Sequence, residues 1–185
     1  IYKRIDPQYS DGVGWARKLN SFNVRDEDFF YQIDSHMLFD PNWDRYLIED
    51  YKRGVKKSGS KKVIIDGGTK NYTLDENNVP FKHIQANGIT THAKYFIWSR
   101  DSLLGVHGHH VPATIDVLET CHLFAGNFFT HVDWLTNVGI NHLSYFDGEE
   151  QLLTMTSFEA GYHMYAPTEI RVYHFAGSGE YTTKQ

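Results

Sequence analysis

Hydrophobic and polar positions change period several times along the chain, and each change marks an element. Phe29-Phe30-Tyr31-Gln32-Ile33 is a nearly continuous apolar run behind the charged stretch Arg25 to Asp28. Such a run predicts a strand buried on both faces, as in a mainly parallel sheet. It stops abruptly at Asp34-Ser35-His36. Asp40-Pro41 then has the form of an N-cap followed by proline at the first helical position, and Trp43, Tyr46, Leu47 and Tyr51 recur at helical spacing, which predicts a helix of about three turns ending at Lys52-Arg53-Gly54.

The remaining pattern is read in the same way. Ile1 to Ile5 alternates like a strand, Asp6 to Gly14 carries loop chemistry, and Trp15 to Phe22 suits a short helix. Val63-Ile64-Ile65 is a strand closed by Gly67-Gly68, and residues 69–92 are a polar excursion with one hairpin. Tyr95 to Trp98 and Cys121 to Phe129 are expected as strands, with a His-rich stretch and a short helical piece across 101–118. Asp147 is expected to cap a helix from Glu149 to Ala160 that Gly161 stops, before a last strand from Ile170 to Phe175. Residues 1–176 thus read as a single domain, and 177–185, beginning Gly-Ser-Gly, as a flexible tail.

Composition narrows the function classes. With 185 residues and 41% hydrophobic content there is enough chain for one core and one site. The net charge of −5 lacks the basic excess by which proteins hold a phosphate backbone, so nucleic acid is unsupported as a partner. A single cysteine, Cys121, makes no internal disulfide and suits a reducing, cytoplasmic setting. Apolar stretches fall far short of the roughly 20 residues that span a bilayer, so no membrane segment is expected. The 15% aromatic share fits either core filling or a cleft that stacks on ring-shaped ligands.

The candidate chemistry starts where the buried strand ends. In an extended segment residues i and i+2 point the same way, so Asp34 and His36 can share one divalent ion at the carboxyl edge of a sheet. Manganese or magnesium with a phosphate ligand suits that donor set, zinc less well. The ordinary alternative is a capping aspartate beside a surface histidine. Three further segments occur with it in order: Gly12-Val13-Gly14-Trp15-Ala16-Arg17, Ala125-Gly126-Asn127-Phe128-Phe129 and Phe146-Asp147-Gly148-Glu149-Glu150, the last before a helix ending Glu159-Ala160-Gly161-Tyr162. A closing strand carries His174.

In these segments the sequence resembles the GT-A glycosyltransferases, above all the cytoplasmic GlcNAc-transferases of glycosyltransferase family 60 that modify hydroxyproline on Skp1, and more distantly the polypeptide GalNAc-transferases. The stretch FFYQIDSHMLFDPNWDRYLIED, residues 29–50, carries most of the likeness, which covers roughly 1–55 and 120–175. The resemblance implies an α/β, GT-A fold: a mixed, mainly parallel sheet flanked by helices, here without the N-terminal nucleotide-binding strands. It implies a metal-dependent retaining transfer of a sugar, GlcNAc from UDP-GlcNAc in the first place, to a hydroxyl on protein or glycan. Asp34, His36 and His174 are the implied metal ligands. Arg17, Asp34, Ser35, Ala125 and Gly126 are the implied donor-binding residues. Asp147, Glu149 and Glu150 match the acidic turn facing sugar and acceptor, with Glu149 the first choice for the essential carboxylate and Glu150 the second. In a retaining transfer of this kind the departing phosphate itself takes the acceptor's proton.

The sequence departs from the resemblance in two places. Nothing before Ile1 supplies the uridine-binding strand and loop, and Met37-Leu38 stand where the GalNAc-transferases have an acid. The nearest rival reading keeps the same core but uses another nucleotide sugar and an unusual acceptor, such as a hydroxylated nucleobase in DNA. A non-catalytic sugar- or metal-binding module is an alternative of another class. So is a zinc hydrolase on His107, His109 and His110, although no cysteine or metalloprotease-spaced glutamate accompanies them. The basic run Lys52, Arg53, Lys56, Lys57, Lys61 and Lys62 reads as a solvated helix end.

Overall fold

The computed structural model describes residues 6–82, 89–98, 104–144 and 148–176. The strand expected over 1–5, Asp147 and the tail 177–185 lie outside them. Elements follow in the order α1 (Val13–Ser21), β1 (Phe29–Ile33), β2 (Met37–Phe39), α2 (Trp43–Ser58), β3 (Val63–Asp66), β4 (Lys70–Leu74), β5 (Pro80–Lys82), β6 (Ile89–Trp98), β7 (Leu104–Pro112), β8 (Leu118–Glu119), β9 (Asn127–His131), α3 (Trp134–Asn137), α4 (Glu149–Glu159), β10 (His163–Ala166) and β11 (Val172–Phe175).

The central sheet has the strand order β1-β9-β3-β10-β8, and a second sheet runs β2-β11-β4-β5, with β6 and β7 as a separate hairpin. Only β3–β10 and β4–β11 pair in parallel among the described strands; the other pairs are antiparallel. The fold is therefore mixed α/β and largely antiparallel, which corrects the mainly parallel sheet expected from the FFYQI run. The run does have packing on both faces. Phe30 stacks on Trp134 and meets Phe128 edge-on, while Phe29 on the other face stacks on Phe129 and meets Tyr51. Two cores result, one beneath α3 and α4 around Ile64, Phe128, Leu153 and Met164, the other beneath α2 around Val63, Ile65, Phe129 and Tyr165. An antiparallel sheet covered on both faces produces the same apolar run as a parallel one, because burial decides the pattern.

Several boundaries also move. The long helix α2 begins after Asn42, itself in the left-handed region at φ 62°, so Asp40-Pro41 is not its cap. It continues through Gly54 to Ser58 because that glycine faces the sheet: a Cβ there would lie 2.7 Å from Val63 Cγ1 and 3.1 Å from Tyr165 Cδ2. Gly148 at φ 83°, not Asp147, holds the N-cap position of α4. The stretch from Cys121 is strand only from Asn127, and 101–118 contributes β7 and β8 with no helix among its described residues. The hairpin expected in 69–92 is β4–β5, whose turn Asp75 ties by accepting from Asn77 and Val79 N–H groups. No helix among the described residues is long and apolar enough to cross a membrane.

Two stability predictions follow from this packing. Gly54→Ala gains about 1 kcal/mol of helix propensity but overpacks a closed helix–sheet contact, which costs about 1–3 kcal/mol, so the urea midpoint should fall. His122 is 1% exposed with both ring nitrogens unpartnered among the described residues, and burial pulls its imidazole down from 6.5 to about 4. The unfolded chain then binds the extra proton first as pH drops. Its contribution to stability is whole above pH 6.5 and lost on the way to pH 4, up to about 3 kcal/mol relative to a His122→Leu variant titrated in parallel. Parallel stability curves for the two proteins would reject this.

Candidate functional site

The site forms where the ends of β1 and β3 meet three returning segments. Asp34, directly after β1, donates its backbone N–H to Gly126 O at 3.1 Å. Two residues on, His36 O accepts the N–H of Phe175, and β2 pairs antiparallel with β11 so that Met37 lies opposite His174. The two sheets thereby place two histidines distant in sequence side by side. His36 Nε2 and His174 Nε2 are 2.7 Å apart, and His174 Nε2 is 3.4 Å from Asp34 Oδ2. One ligand atom from each of the three lies within 4.8 Å of the others, the one such cluster among the described residues. Two imidazole nitrogens and a carboxylate oxygen form a mixed donor set capable of holding a divalent metal ion. His36 is exposed and Asp34 half-buried, so the cluster opens to solvent.

Behind the cluster, Arg17 crosses from α1. Its Nη2 donates to Asp34 Oδ1 at 3.2 Å and its Nη1 to Glu149 Oε2 at the start of α4. One Asp34 oxygen is thus committed to the guanidinium while the other faces His174. Glu149 is 5% exposed, and its Oε1 is buried without a partner among the described residues. A buried carboxylate beside an Arg fork is held firmly, since removing either partner strands a charge. Arg17 reaches this position because Gly12, φ 98°, holds the N-cap of α1, and because Gly14 packs flush on the loop before α4: its N–H donates to Ser144 O, and a Cβ there would lie 2.5 Å from the carbonyls of Asn141 and Ser144.

A polar hollow of about 250 Å³ is lined by Arg17, Asp34, Ala125, Gly126, Gly148, Glu149, Glu150 and Gln151. Six residues singled out in the sequence therefore share one cavity. Ser35 is exposed beside it and absent from its lining, and Asp147 is not among the described residues. Glu150 uses Oε1 to accept the Ala125 N–H at 3.0 Å. Burial raises its carboxyl above the ordinary range; that N–H pulls it back, and the neighbouring Glu149 pushes it further up. Gly126 makes room for Asp34, because a Cβ would sit 2.7 Å from Asp34 Oδ2 and the carboxylate would have to shift. A roomier groove of about 550 Å³ runs past Cys121, Met155 and Phe158, but it holds none of the clustered ligands. His109 and His110 are exposed on β7, and the His107 side chain lies outside the described residues.

Sequence reasoning passed over Gln32 and Asp66. Gln32 is 4% exposed and donates to Ala125 O, and Asp66, 2% exposed, accepts the Phe124 N–H at 2.9 Å. A signal for each was present: a lone amide inside FFYQI, and a carboxylate ending Val63-Ile64-Ile65 just as Asp34 ends the run before it.

The sequence profile of the family described as Glycosyltransferase (GlcNAc) matches residues 1–180. No curated protein matches the chain. Among solved structures, the crystal structure of GalNAc-T7 with UDP, GalNAc and Mn2+ superposes with a TM-score of 0.58 at 14% identity, over 89% of this chain. The chain spans 30% of the length of that protein. The shared fold is GT-A-like.

The Gly126 contact yields a direct test of the metal cluster. Gly126→Ala should displace the Asp34 carboxylate and weaken Mn2+ binding about tenfold or more by titration calorimetry, a loss of about 1.4 kcal/mol or more. Unchanged affinity in a folded variant would show that the Asp34 carboxylate needs no glycine at 126, and Asp34→Ala, measured in parallel, tests Asp34 as a ligand directly.

Proposed function

Because the chain belongs to the Glycosyltransferase (GlcNAc) family, we propose that it transfers N-acetylglucosamine from UDP-GlcNAc, with retention of configuration, to a hydroxyl group of a protein or glycan. Kinship with the cytoplasmic family 60 enzymes is part of this reading. The observation that carries it is the joining of two kinds of chemistry by one side chain: Asp34 belongs both to the Asp-His-His cluster and to the hollow that contains Arg17, Glu149 and Glu150. A protein of the same fold binds UDP, GalNAc and Mn2+, which supports a nucleotide-sugar donor used with a divalent cation.

In this reading Asp34, His36 and His174 hold manganese or magnesium, which supplies positive charge to the leaving diphosphate without a proton transfer. Arg17 spends one N–H on each of Asp34 and Glu149. Its five donors leave others for the diphosphate or the sugar hydroxyls. Ser35 offers a hydroxyl to the donor from the exposed side of the triplet. Ala125 and Gly126 form a floor low enough for a sugar ring to approach.

Glu149 is the essential carboxylate. Fixed by Arg17 through one oxygen, it presents a buried second oxygen, unpartnered among the described residues, whose desolvation a sugar or acceptor hydroxyl would offset. Glu150 stands beside it and braces Ala125, and Asp147, two residues before Glu149 in the sequence, is the third carboxylate of this reading. As the bond from the anomeric carbon to the diphosphate breaks, the bond to the acceptor oxygen forms on the same face. The acceptor proton passes to the departing phosphate oxygen. The chain's own residues thus act by orientation and electrostatics.

Turnover across a panel of nucleotide sugars, with Mn2+ and with chelator, tests the assignment. UDP-GlcNAc should be consumed in the presence of Mn2+ alone, and Glu149→Gln should lower kcat by about a hundredfold or more with the fold intact. Absence of binding and turnover with every donor would reject it.

A further inference from the structure

Asp66 is an expensive residue for its place. It ends β3, is 2% exposed, and keeps Oδ2 buried without a partner among the described residues. A carboxyl in such surroundings lowers stability unless it is paired and fully hydrogen-bonded. What it does contact is specific: Oδ1 accepts the Phe124 N–H at 2.9 Å.

Two other polar side chains grip the adjacent residue. Gln32 Nε2 donates to Ala125 O at 2.5 Å and Glu150 Oε1 accepts the Ala125 N–H at 3.0 Å. Gln32 and Asp66 both lie opposite Phe128, on β1 and β3 respectively, so a row across three strands brings them to one face of the sheet. The Asn127 N–H, donated to Phe124 O, closes the turn they hold. Downstream of these ties is Asp34: Gly126 O accepts its N–H, and a Cβ at Gly126 would lie 2.7 Å from its carboxylate.

We propose that Asp66 is a positioning residue for the metal and donor site, fixing the turn Phe124-Ala125-Gly126 through the Phe124 N–H and thereby setting the Asp34 carboxylate between His174 and Arg17. This rests on the metal-site reading above. Asp66 touches neither cation nor donor; it acts through three residues of backbone. Burial also raises its carboxyl well above the ordinary range, against a smaller pull from the Phe124 N–H. In its neutral form an asparagine side chain reproduces the acceptor, which makes that substitution the conservative control.

Mn2+ affinity by calorimetry and melting temperature are measured for the wild-type protein, Asp66→Asn, Asp66→Ala and Asp66→Leu. The asparagine variant should stay within about twofold of wild type, whereas the alanine and leucine variants, which leave the Phe124 N–H without an acceptor, should bind about tenfold or more weakly. Should the alanine variant fail to fold, the leucine variant, with the same branched shape and no polar atoms, carries the test. Wild-type affinity in either folded variant overturns the proposal, as does an asparagine variant as weak as the leucine one. Wild-type protein that binds no Mn2+ removes the metal-site reading and this proposal together, whereas binding by wild type and leucine variant alike removes this proposal alone.

Discussion

The site depends on one guanidinium. Arg17 comes from α1, Asp34 directly follows the edge strand β1, and Glu149 opens α4; among the described residues none of these three elements pairs with another by backbone hydrogen bonds. The Arg17 fork is the link between them. With side-chain exposures of 14% and 5%, the Arg17–Glu149 pair lies largely out of solvent, where attraction between opposite charges is stronger than in water and where the loss of either partner leaves a stranded charge. The glycines around it follow from the same constraint. Gly14 lets α1 settle onto the loop before α4, where a Cβ would meet two backbone carbonyls, and the absence of a Cβ at Gly126 leaves room for the Asp34 carboxylate.

How far the sequence discloses this depends on the range over which each feature is determined. The apolar run 29–33 and its carboxylate stop are local, and they mark the strand β1 and one member of the Asp-His-His cluster. Strand direction is not local. Phe29 and Phe30 pack on opposite faces of an antiparallel pair, and nothing in five residues distinguishes that from a parallel one. Gly54 misleads in a related way. Read alone it ends a helix, whereas in the fold it is the flat spot that lets α2 lie on Val63 and Tyr165.

The ligand set shows the same boundary. Asp34 and His36 are suggested by their spacing, but His174, 138 residues beyond His36, meets them only through the β2–β11 pairing. The resemblance, not the spacing, suggested it. Gln32 and Asp66 were legible as anomalies, polar groups within or at the end of apolar strands, yet their partners are backbone atoms of Phe124 and Ala125. Backbone partners leave no mark of their own in a sequence.

Charge explains why a cation belongs at this site if the ligand is a nucleoside diphosphate. Asp34, Glu149 and Glu150 supply three carboxyl groups to the hollow and Arg17 a single guanidinium. Ionised together they leave an excess of negative charge, which would oppose an anionic donor of the kind proposed. Two features reduce it: burial favours the neutral form of Glu150, and Arg17 divides its hydrogen bonds between the other two. Neither reverses the sign. A divalent ion at the neighbouring Asp-His-His cluster would, with imidazoles adding ligands without adding charge. A cluster of three carboxylates would hold the ion as well but would deepen the repulsion toward the diphosphate. Histidines at 36 and 174 are therefore the donor type that would let one site hold a divalent cation beside an anionic ligand.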